Sequence, residues 1–315
     1  MKNGKSIFIV LALALCLVCF VARSGEKYPT RPINLIIPFD PATASDEIGR
    51  LIARLAEPHL GGKFQIINKP GGAGALGFSE IHNARPDGYT IGIGTTNLAV
   101  QKMSGHLPFD HNDVETVIIF HIGPSLFAVS ATSNFHNLED FINEAKNRPG
   151  QLTLATGTPG SVLYTVARDF MNQVGIDVKI VPCAGGGAQP AILAGGGHVD
   201  ACFASPIEAR SQLDAGNLRS IAVYLDKKLD NMPTVPSFPD LGLTATVFGF
   251  RGIITPKGVD REILEILHDA FKKAMEEPTY KEYVNKSATS IIYAGLDDSK
   301  VMYDQQKEAF AAAER

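Results

Sequence analysis

Short apolar runs alternate with amphipathic segments along most of the chain. The runs predict strands over Asn34–Pro38, Phe64–Asn68, Thr90–Gly94, Glu115–His121, Phe127–Ser130, Leu152–Ala155, Lys179–Val181, Ala201–Ala204 and Ser220–Tyr224. Because helical patterns separate most of these strands, the order favours βαβ units with parallel sheets. Residues 126–246 hold their own set of such units, and helical patterns return near 260–276 and 298–313. One α/β unit inserted within another, with a cleft between two lobes, accounts for this order.

The clearest helical pattern lies near residues 160–174. Apolar residues from Leu163 to Val174 recur at helical spacing and form one stripe. Thr158 followed by Pro159 is typical of an N-cap and a first helical residue. We therefore predict a helix that begins at this pair.

Two loops of small residues, 39–46 and 156–161, each join the end of a predicted strand to the start of a predicted helix. In the first loop the helix is expected to begin at Ser45-Asp46-Glu47. Free backbone N–H groups and the positive end of the helix dipole favour an anion at such a position. Two sites of this kind in two halves of one chain predict a protein that clamps a small anion.

Composition and charge narrow the class of partner. The chain has 315 residues, of which 45% are hydrophobic and 20% charged, and this length is sufficient for two domains. The net charge is −4 and no run of Lys or Arg occurs, which argues against a nucleic-acid partner. An anionic ligand would therefore be held by local dipoles and not by the overall field.

The first 24 residues are typical of a secretory signal peptide. Lys2 and Lys5 precede an uncharged apolar run from Ile7 to Ala22, and small residues follow at the cleavage spacing. A membrane anchor is the alternative, but the run is shorter than the roughly 18–20 residues that a span requires. We expect export to the periplasm and cleavage of residues 1–24.

Cleavage would remove two of the four cysteines, unless Cys16 or Cys19 anchors a lipoprotein, which the preceding residues disfavour. Cys183 and Cys202 would remain in a compartment that permits disulfides. The two residues either form a bridge or remain small buried thiols, and spacing alone does not distinguish these outcomes.

A glycine-rich segment, Gly72 to Gly77, matches the dinucleotide-binding pattern G-x-G-x-x-G after a predicted strand. The next strand is followed by Thr95-Thr96-Asn97, so the acidic residue that would bind a ribose is missing. The glycines are more consistent with close approach to a small ligand and the start of a helix. Of two further glycine runs, 183–187 is expected to line the cleft and 194–197 to end a helix.

No pattern in the sequence predicts catalysis. The eight histidines are scattered, and neither H-E-x-x-H nor a Cys/His quartet occurs. No G-x-S-x-G motif or evident Ser-His-Asp set is present either. We therefore predict a protein that is not an enzyme and has no cofactor and no metal; a secreted α/β enzyme is the less favoured alternative.

Several short motifs occur in a characteristic order. They are Tyr28-Pro29-Thr30-Arg31-Pro32-Ile33, Pro38-Phe39, Asn68-Lys69-Pro70-Gly71-Gly72-Ala73-Gly74, Arg85-Pro86-Asp87-Gly88-Tyr89-Thr90, Gly195-Gly196-Gly197-His198-Val199-Asp200, Ala215-Gly216-Asn217-Leu218-Arg219-Ser220-Ile221-Ala222-Val223, Pro233-Thr234-Val235-Pro236 and Gly249-Phe250-Arg251-Gly252-Ile253. On these residues the chain resembles the periplasmic solute receptors of the tripartite tricarboxylate transporter family, also called Bug-type receptors. The resemblance extends from about Tyr28 to the C-terminus.

The resemblance implies an α/β type II periplasmic-binding-protein fold, with two lobes whose doubly wound sheets surround a central cleft. Lobe 1 would comprise residues 25–125 plus 247–315, and lobe 2 residues 126–246. The ligand would be a small organic carboxylate, held mainly by backbone N–H groups and partly through water. The matching loops predict these ligand-binding residues: Phe39, Asp40, Pro41, Ala42, Thr43, Ser45, Gly71, Gly72, Thr95, Thr96, Thr156, Gly157, Thr158, Ser161, Cys183, Ala184, Gly185, Ala204 and Ser205.

The chain departs from the family pattern at the predicted site. Ala42 and Thr43 replace two glycines of the first loop, which restricts positive φ and narrows the approach of the backbone. Ala204 stands where the family often has an acid, whereas Asp40 adds one to the first loop. Asp40 is either a solvated turn residue or a group that faces the cleft. In the second case a carboxylate with a neighbouring donor group would fit better than a simple diacid.

The resemblance implies a monomeric receptor that captures its ligand by lobe closure and delivers it to the permease subunits of a membrane transporter. A ligand sensor that docks onto a signalling partner would share the cleft and is the alternative.

Overall fold

Two mixed β-sheets organise the chain in a computed structural model that describes residues 27–184 and 186–314. The predicted signal peptide and Gly185 lie outside the described residues. The strands are β1 (Ile33–Ile37), β2 (Phe64–Asn68), β3 (Thr90–Thr95), β4 (Val114–Gly123), β5 (Ser125–Ser130), β6 (Thr153–Gly157), β7 (Lys179–Cys183), β8 (Ala201–Ala204), β9 (Leu218–Tyr224), β10 (Gly249–Pro256) and β11 (Ser290–Ala294). The helices are α1 (Ala44–Leu60), α2 (Ala75–His82), α3 (Asn97–Val100), α4 (Leu138–Asn147), α5 (Val162–Val174), α6 (Ala188–Gly195), α7 (Pro206–Asp214), α8 (Arg261–Glu276), α9 (Pro278–Lys286) and α10 (Ser299–Ala313).

The first sheet has the strand order β11-β4-β10-β3-β1-β2, and the second has β7-β6-β8-β5-β9. Strands β1, β2 and β3 are parallel, as are β6, β7 and β8. However, β10 is antiparallel to both of its neighbours, and so is β5. The expected parallel strands are therefore present in both sheets, but each sheet is mixed and not parallel throughout; the α/β fold with two sheets is confirmed.

The antiparallel strands follow from how the chain passes between the sheets. A parallel strand requires a crossover connection, usually a helix. Only Pro124 separates β4 from β5, and residues 225–248 between β9 and β10 contain no α-helix. Strand β5 therefore enters the second sheet from β4 of the first, and β10 enters the first sheet from β9 of the second, in each case without an intervening α-helix.

Helix α1 begins next to the first predicted loop. Thr43 is its N-cap and accepts a hydrogen bond from Asp46 N through Oγ1 (3.4 Å). Gly61 ends the helix in the left-handed conformation (φ 70°). The buried face of α1 packs on α8 and on the first sheet, which fixes its N-terminus against the end of β1.

Helix α5 begins later than the sequence pattern predicts. Its N-cap is Ser161, whose Oγ accepts a hydrogen bond from Tyr164 N (3.3 Å). The predicted cap of Thr158 with Pro159 was wrong, because these residues belong to a turn closed by Ser161 N donating to Thr158 O (3.0 Å). Gly160 has φ 80°, and Pro followed by a glycine of positive φ is typical of a type II turn.

Aromatic side chains join the two sheets into one core. Phe127, Phe170 and Phe203 pack together within the second sheet and its helices. The same apolar cluster includes Phe250 and Tyr303, which come from β10 and α10. Helix α10 therefore packs across both halves of the chain.

Cys183 and Cys202 are buried free thiols and not a disulfide. They lie on β7 and β8, which flank β6. Two strand spacings amount to about 9–10 Å, beyond the roughly 7 Å limit between bridged Cα atoms. Burial raises the pKa of both thiols.

No helix within residues 27–184 and 186–314 has the length and apolar character needed to cross a bilayer.

Candidate functional site

A cavity of about 580 Å³ lies where the carboxyl ends of the parallel strands of both sheets meet. Its volume is in the usual range for small-molecule sites. Most of the predicted ligand-binding residues lie on its wall: Phe39, Asp40, Thr43, Ser45, Gly71, Gly72, Thr95, Thr96, Gly157, Thr158, Ser161, Cys183, Ala184 and Ser205. The structure therefore brings the loops of both halves of the chain to one site.

Four predicted residues do not line this cavity. Thr156 and Ala204 are fully buried strand residues within the second sheet. Pro41 and Ala42 are exposed at the outer side of the first loop. Gly185 is outside the described residues.

In the first loop, Ala42 adopts a left-handed backbone conformation that favours glycine. Ala42 has φ 63°, a region that costs an L-residue roughly 1–2 kcal/mol. Asp46 stabilises this conformation, because its Oδ2 accepts a hydrogen bond from Ala42 N (3.0 Å). Its Oδ1 accepts from Asn68 Nδ2 (2.8 Å) and Arg50 Nε (2.9 Å). Burial alone would raise the pKa of Asp46, but these hydrogen bonds outweigh it and hold the pKa below its ordinary value.

The second loop meets a residue from the first half of the chain. His106 lies on the cavity wall, and a Cβ on Gly160 would come within 3.1 Å of its Cε1. The turn of Thr158–Ser161 therefore contacts His106 closely at Gly160, where a larger residue would crowd the imidazole.

The cavity is also lined by a carboxylate that the sequence patterns did not identify. Glu208 lies in the first turn of α7, and its Oε2 accepts a hydrogen bond from Ser205 Oγ (2.7 Å). A Cβ on Gly186 or Gly187 would lie 2.5 Å from one of its carboxylate oxygens. The two glycines thus provide the space that this carboxylate occupies. The signal was an acid three residues after a Ser N-cap.

Arg251 provides a cation on the cavity wall. Its Nε donates to Ser45 Oγ at the N-terminus of α1 (3.3 Å). A Cβ on Gly123 would lie 2.5 Å from its Nη1, so glycine is needed beside the guanidinium. Among the described residues, neither Nη1 nor Nη2 of Arg251 has a hydrogen-bond or ion-pair partner. Arg251 was noted within a motif, but its charge was not assigned to the site.

The guanidinium of Arg251 remains positively charged among its neighbours. Burial lowers the pKa of Arg251, while Glu208 acts in the opposite direction, and arginine remains protonated in either case. His121 is its cross-strand partner and is fully buried. Burial and the nearby Arg251 hold the pKa of His121 well below its ordinary value, so this imidazole is neutral.

Asp40 lies on the cavity wall with its side chain exposed to solvent. Its backbone carbonyl accepts hydrogen bonds from Thr43, but its carboxylate has no such partner among the described residues. Asp40 therefore lies at the solvated edge of the cavity.

Within residues 27–184 and 186–314, no cluster of His, Cys, Asp or Glu has the geometry of a metal site.

Comparison with known proteins assigns the family. The model of the tripartite tricarboxylate transporter family receptor matches residues 48–312, and the chain belongs to this family. The UPF0065 protein in the gbd 5' region of Cupriavidus necator is 31% identical over 305 residues, covering 95% of this chain and 89% of that protein. Protein BugT of Bordetella pertussis is 26% identical, covering 85% and 84% of the two chains.

Solved structures show the same fold. A TctC solute-binding protein from Polaromonas is 25% identical with a TM-score of 0.74, covering 91% of this chain and 99% of that one. The Rpa4515 protein of R. palustris, solved with adipate, is 22% identical with a TM-score of 0.83, covering 91% and 97%. The type II periplasmic-binding-protein fold expected from the resemblance is confirmed, and receptors of this family are periplasmic.

Proposed function

We propose that the chain is a periplasmic receptor that captures a small organic carboxylate in this cavity and delivers it to the permease of a tripartite tricarboxylate transporter. The observation that carries the proposal is the Arg251 guanidinium, which is partly buried on the cavity wall and leaves both amino groups without a partner among the described residues. A ligand carboxylate would supply the partner, since guanidinium and carboxylate form bidentate, charge-assisted hydrogen bonds.

The helix ends around the cavity support the same ligand class. The N-terminus of α1 lies beside Arg251, and the N-caps of α5 and α7, Ser161 and Ser205, also line the cavity. Backbone N–H groups and helix dipoles stabilise an anion at such positions. Adipate and malate are the ligands in two neighbour structures; these neighbours share 22% and 21% identity with the chain. The ligand class therefore rests on the geometry of the cavity.

Several further expectations belong to this proposal. Residues 25–125 plus 247–315 would form lobe 1, residues 126–246 would form lobe 2, and residues 1–24 would direct export. The receptor would act as a monomer, without catalysis, and would close its lobes on the ligand before it meets the permease.

Binding to the wild type and to an Arg251 variant tests the proposal. Native mass spectrometry of protein purified without refolding would identify a retained carboxylate, and calorimetry would give its affinity. Arg251→Gln should weaken binding at least tenfold, because charge-assisted hydrogen bonds contribute about 1.5–3 kcal/mol each. Arg148→Gln removes an exposed arginine that pairs with Glu144 and should leave the affinity unchanged. An Arg251→Gln protein that is folded and binds equally well would refute the assignment of the site.

A further inference from the structure

Two residues of opposite charge line the cavity. Arg251 lies on β10 of the first sheet, and Glu208 lies on α7 beside the second sheet. They do not form an ion pair within 4 Å. Both charged groups therefore remain available to a ligand in the same cavity.

The Glu208 carboxylate has one oxygen available for a ligand. Its Oε2 accepts the hydrogen bond from Ser205 Oγ, whereas Oε1 has no hydrogen-bond donor among the described residues. The side chain is only partly exposed, and Gly186 and Gly187 enclose both carboxylate oxygens. A carboxylate in this setting is stabilised by a cation or by a strong hydrogen-bond donor.

The role of helix cap does not account for this geometry. Ser205 already caps α7, since its Oγ accepts from Glu208 N (3.3 Å). The Glu208 side chain does not accept a hydrogen bond from Ser205 N, as a capping box would require. The glycines at 186 and 187 instead leave the carboxylate at the cavity wall.

From these observations, and resting on the proposed function, we infer that the ligand is a zwitterion: a small carboxylate that also bears a protonated amine. Its carboxylate binds Arg251 and its ammonium group binds Glu208. A simple dicarboxylate would set its second charge against Glu208, and like charges in a partly desolvated site are unfavourable. Glu208, and not Asp40, is then the acid that binds the donor group of the ligand.

Calorimetry with probes of matched length tests the inference. One set is butyrate, succinate and β-alanine, and a second is valerate, glutarate and 4-aminobutyrate; alanine and serine test a 2-amino group. In the wild type at least one amino-carboxylate should bind more tightly than every acid that lacks the amine. Glu208→Gln should weaken that binding roughly tenfold to hundredfold and should bring dicarboxylates level with it.

Two variants separate the possible outcomes. Glu208→Gln keeps an acceptor for Ser205 Oγ and keeps the side-chain shape, so α7 should remain capped. Glu144→Gln removes an exposed carboxylate that pairs with Arg148 outside the cavity and should change the affinities by less than threefold, because solvent screens an exposed charge.

Each result has a definite consequence. If dicarboxylates bind the wild type best and Glu208→Gln changes nothing, the zwitterion inference is wrong, while loss of that binding in Arg251→Gln would leave the proposed function standing. If no carboxylate of either class binds, or if Arg251→Gln binds as the wild type does, the proposed function fails and the inference fails with it.

Discussion

Asp46 should stabilise both the fold and the first loop of the site, and Asp46→Ala tests this directly. The side chain is 6% exposed. Its removal leaves Ala42 N, Asn68 Nδ2 and Arg50 Nε without their shared acceptor. Each unpaired buried donor costs about 1–3 kcal/mol, but Arg50 can turn to solvent.

The net loss in free energy of unfolding for Asp46→Ala should therefore be about 2–4 kcal/mol, because relaxation of the strained Ala42 returns part of the cost. Urea unfolding followed by circular dichroism measures it. Glu144→Ala is the matched control, since Glu144 also pairs with an arginine four residues away but is 37% exposed; it should cost no more than about 0.5 kcal/mol.

The contribution of Asp46 to the free energy of unfolding should decrease at low pH. The pKa of Asp46 is lowered in the folded protein, so its stabilisation is fully present above the unfolded pKa of about 3.9. It is lost as the pH falls through the lower folded pKa. The difference in stability between wild type and Asp46→Asn should shrink below about pH 4. A loss of less than 0.5 kcal/mol for Asp46→Ala, or a difference that does not depend on pH, would refute the reasoning.

Three further predictions concern the second half of the chain. Ser161→Ala should cost about 1 kcal/mol as the loss of an N-cap, whereas Thr158→Ala should be nearly neutral in thermal unfolding; the reverse order would contradict the cap. Gly187→Ala should weaken ligand binding without unfolding the protein, because its Cβ would displace the Glu208 carboxylate; unchanged affinity in calorimetry would count against that role. Cys202, which is fully buried on β8, should resist a thiol reagent at pH 8 until the protein is denatured, since burial raises the pKa of its thiol; rapid labelling of this residue in the native protein would show that it is not buried.

The sequence patterns predicted strands β1 to β9 and missed β10 and β11. Apolar runs such as Phe64–Asn68 and Ala201–Ala204 coincide with β2 and β8. Strand β10 was missed because Gly252 and Arg251 interrupt its apolar pattern, and β11 because it is a short edge strand. Both depend on partners that are distant in the chain.

The same distinction applies to the candidate site: features that depend on local sequence were predicted, and features that depend on residues distant in the chain were not. Loops at strand ends were predicted to converge, and the structure places most of them around one cavity. Glu208 and Arg251 were not assigned to that site, because the residues that make room for their charged groups, Gly187 and Gly123, lie elsewhere in the chain. The retained positive φ of Ala42 was likewise unpredictable from local preference, since it depends on Asp46 as an acceptor.

A crystal structure of the protein with its bound carboxylate tests the central claim most directly. The account predicts a carboxylate oxygen within hydrogen-bond distance of an Arg251 amino group, roughly 2.7–3.2 Å, with the ligand enclosed between the loops that begin α1, α5 and α7. A ligand bound outside this cavity, or bound within it with Arg251 turned away from the carboxylate, would contradict the account.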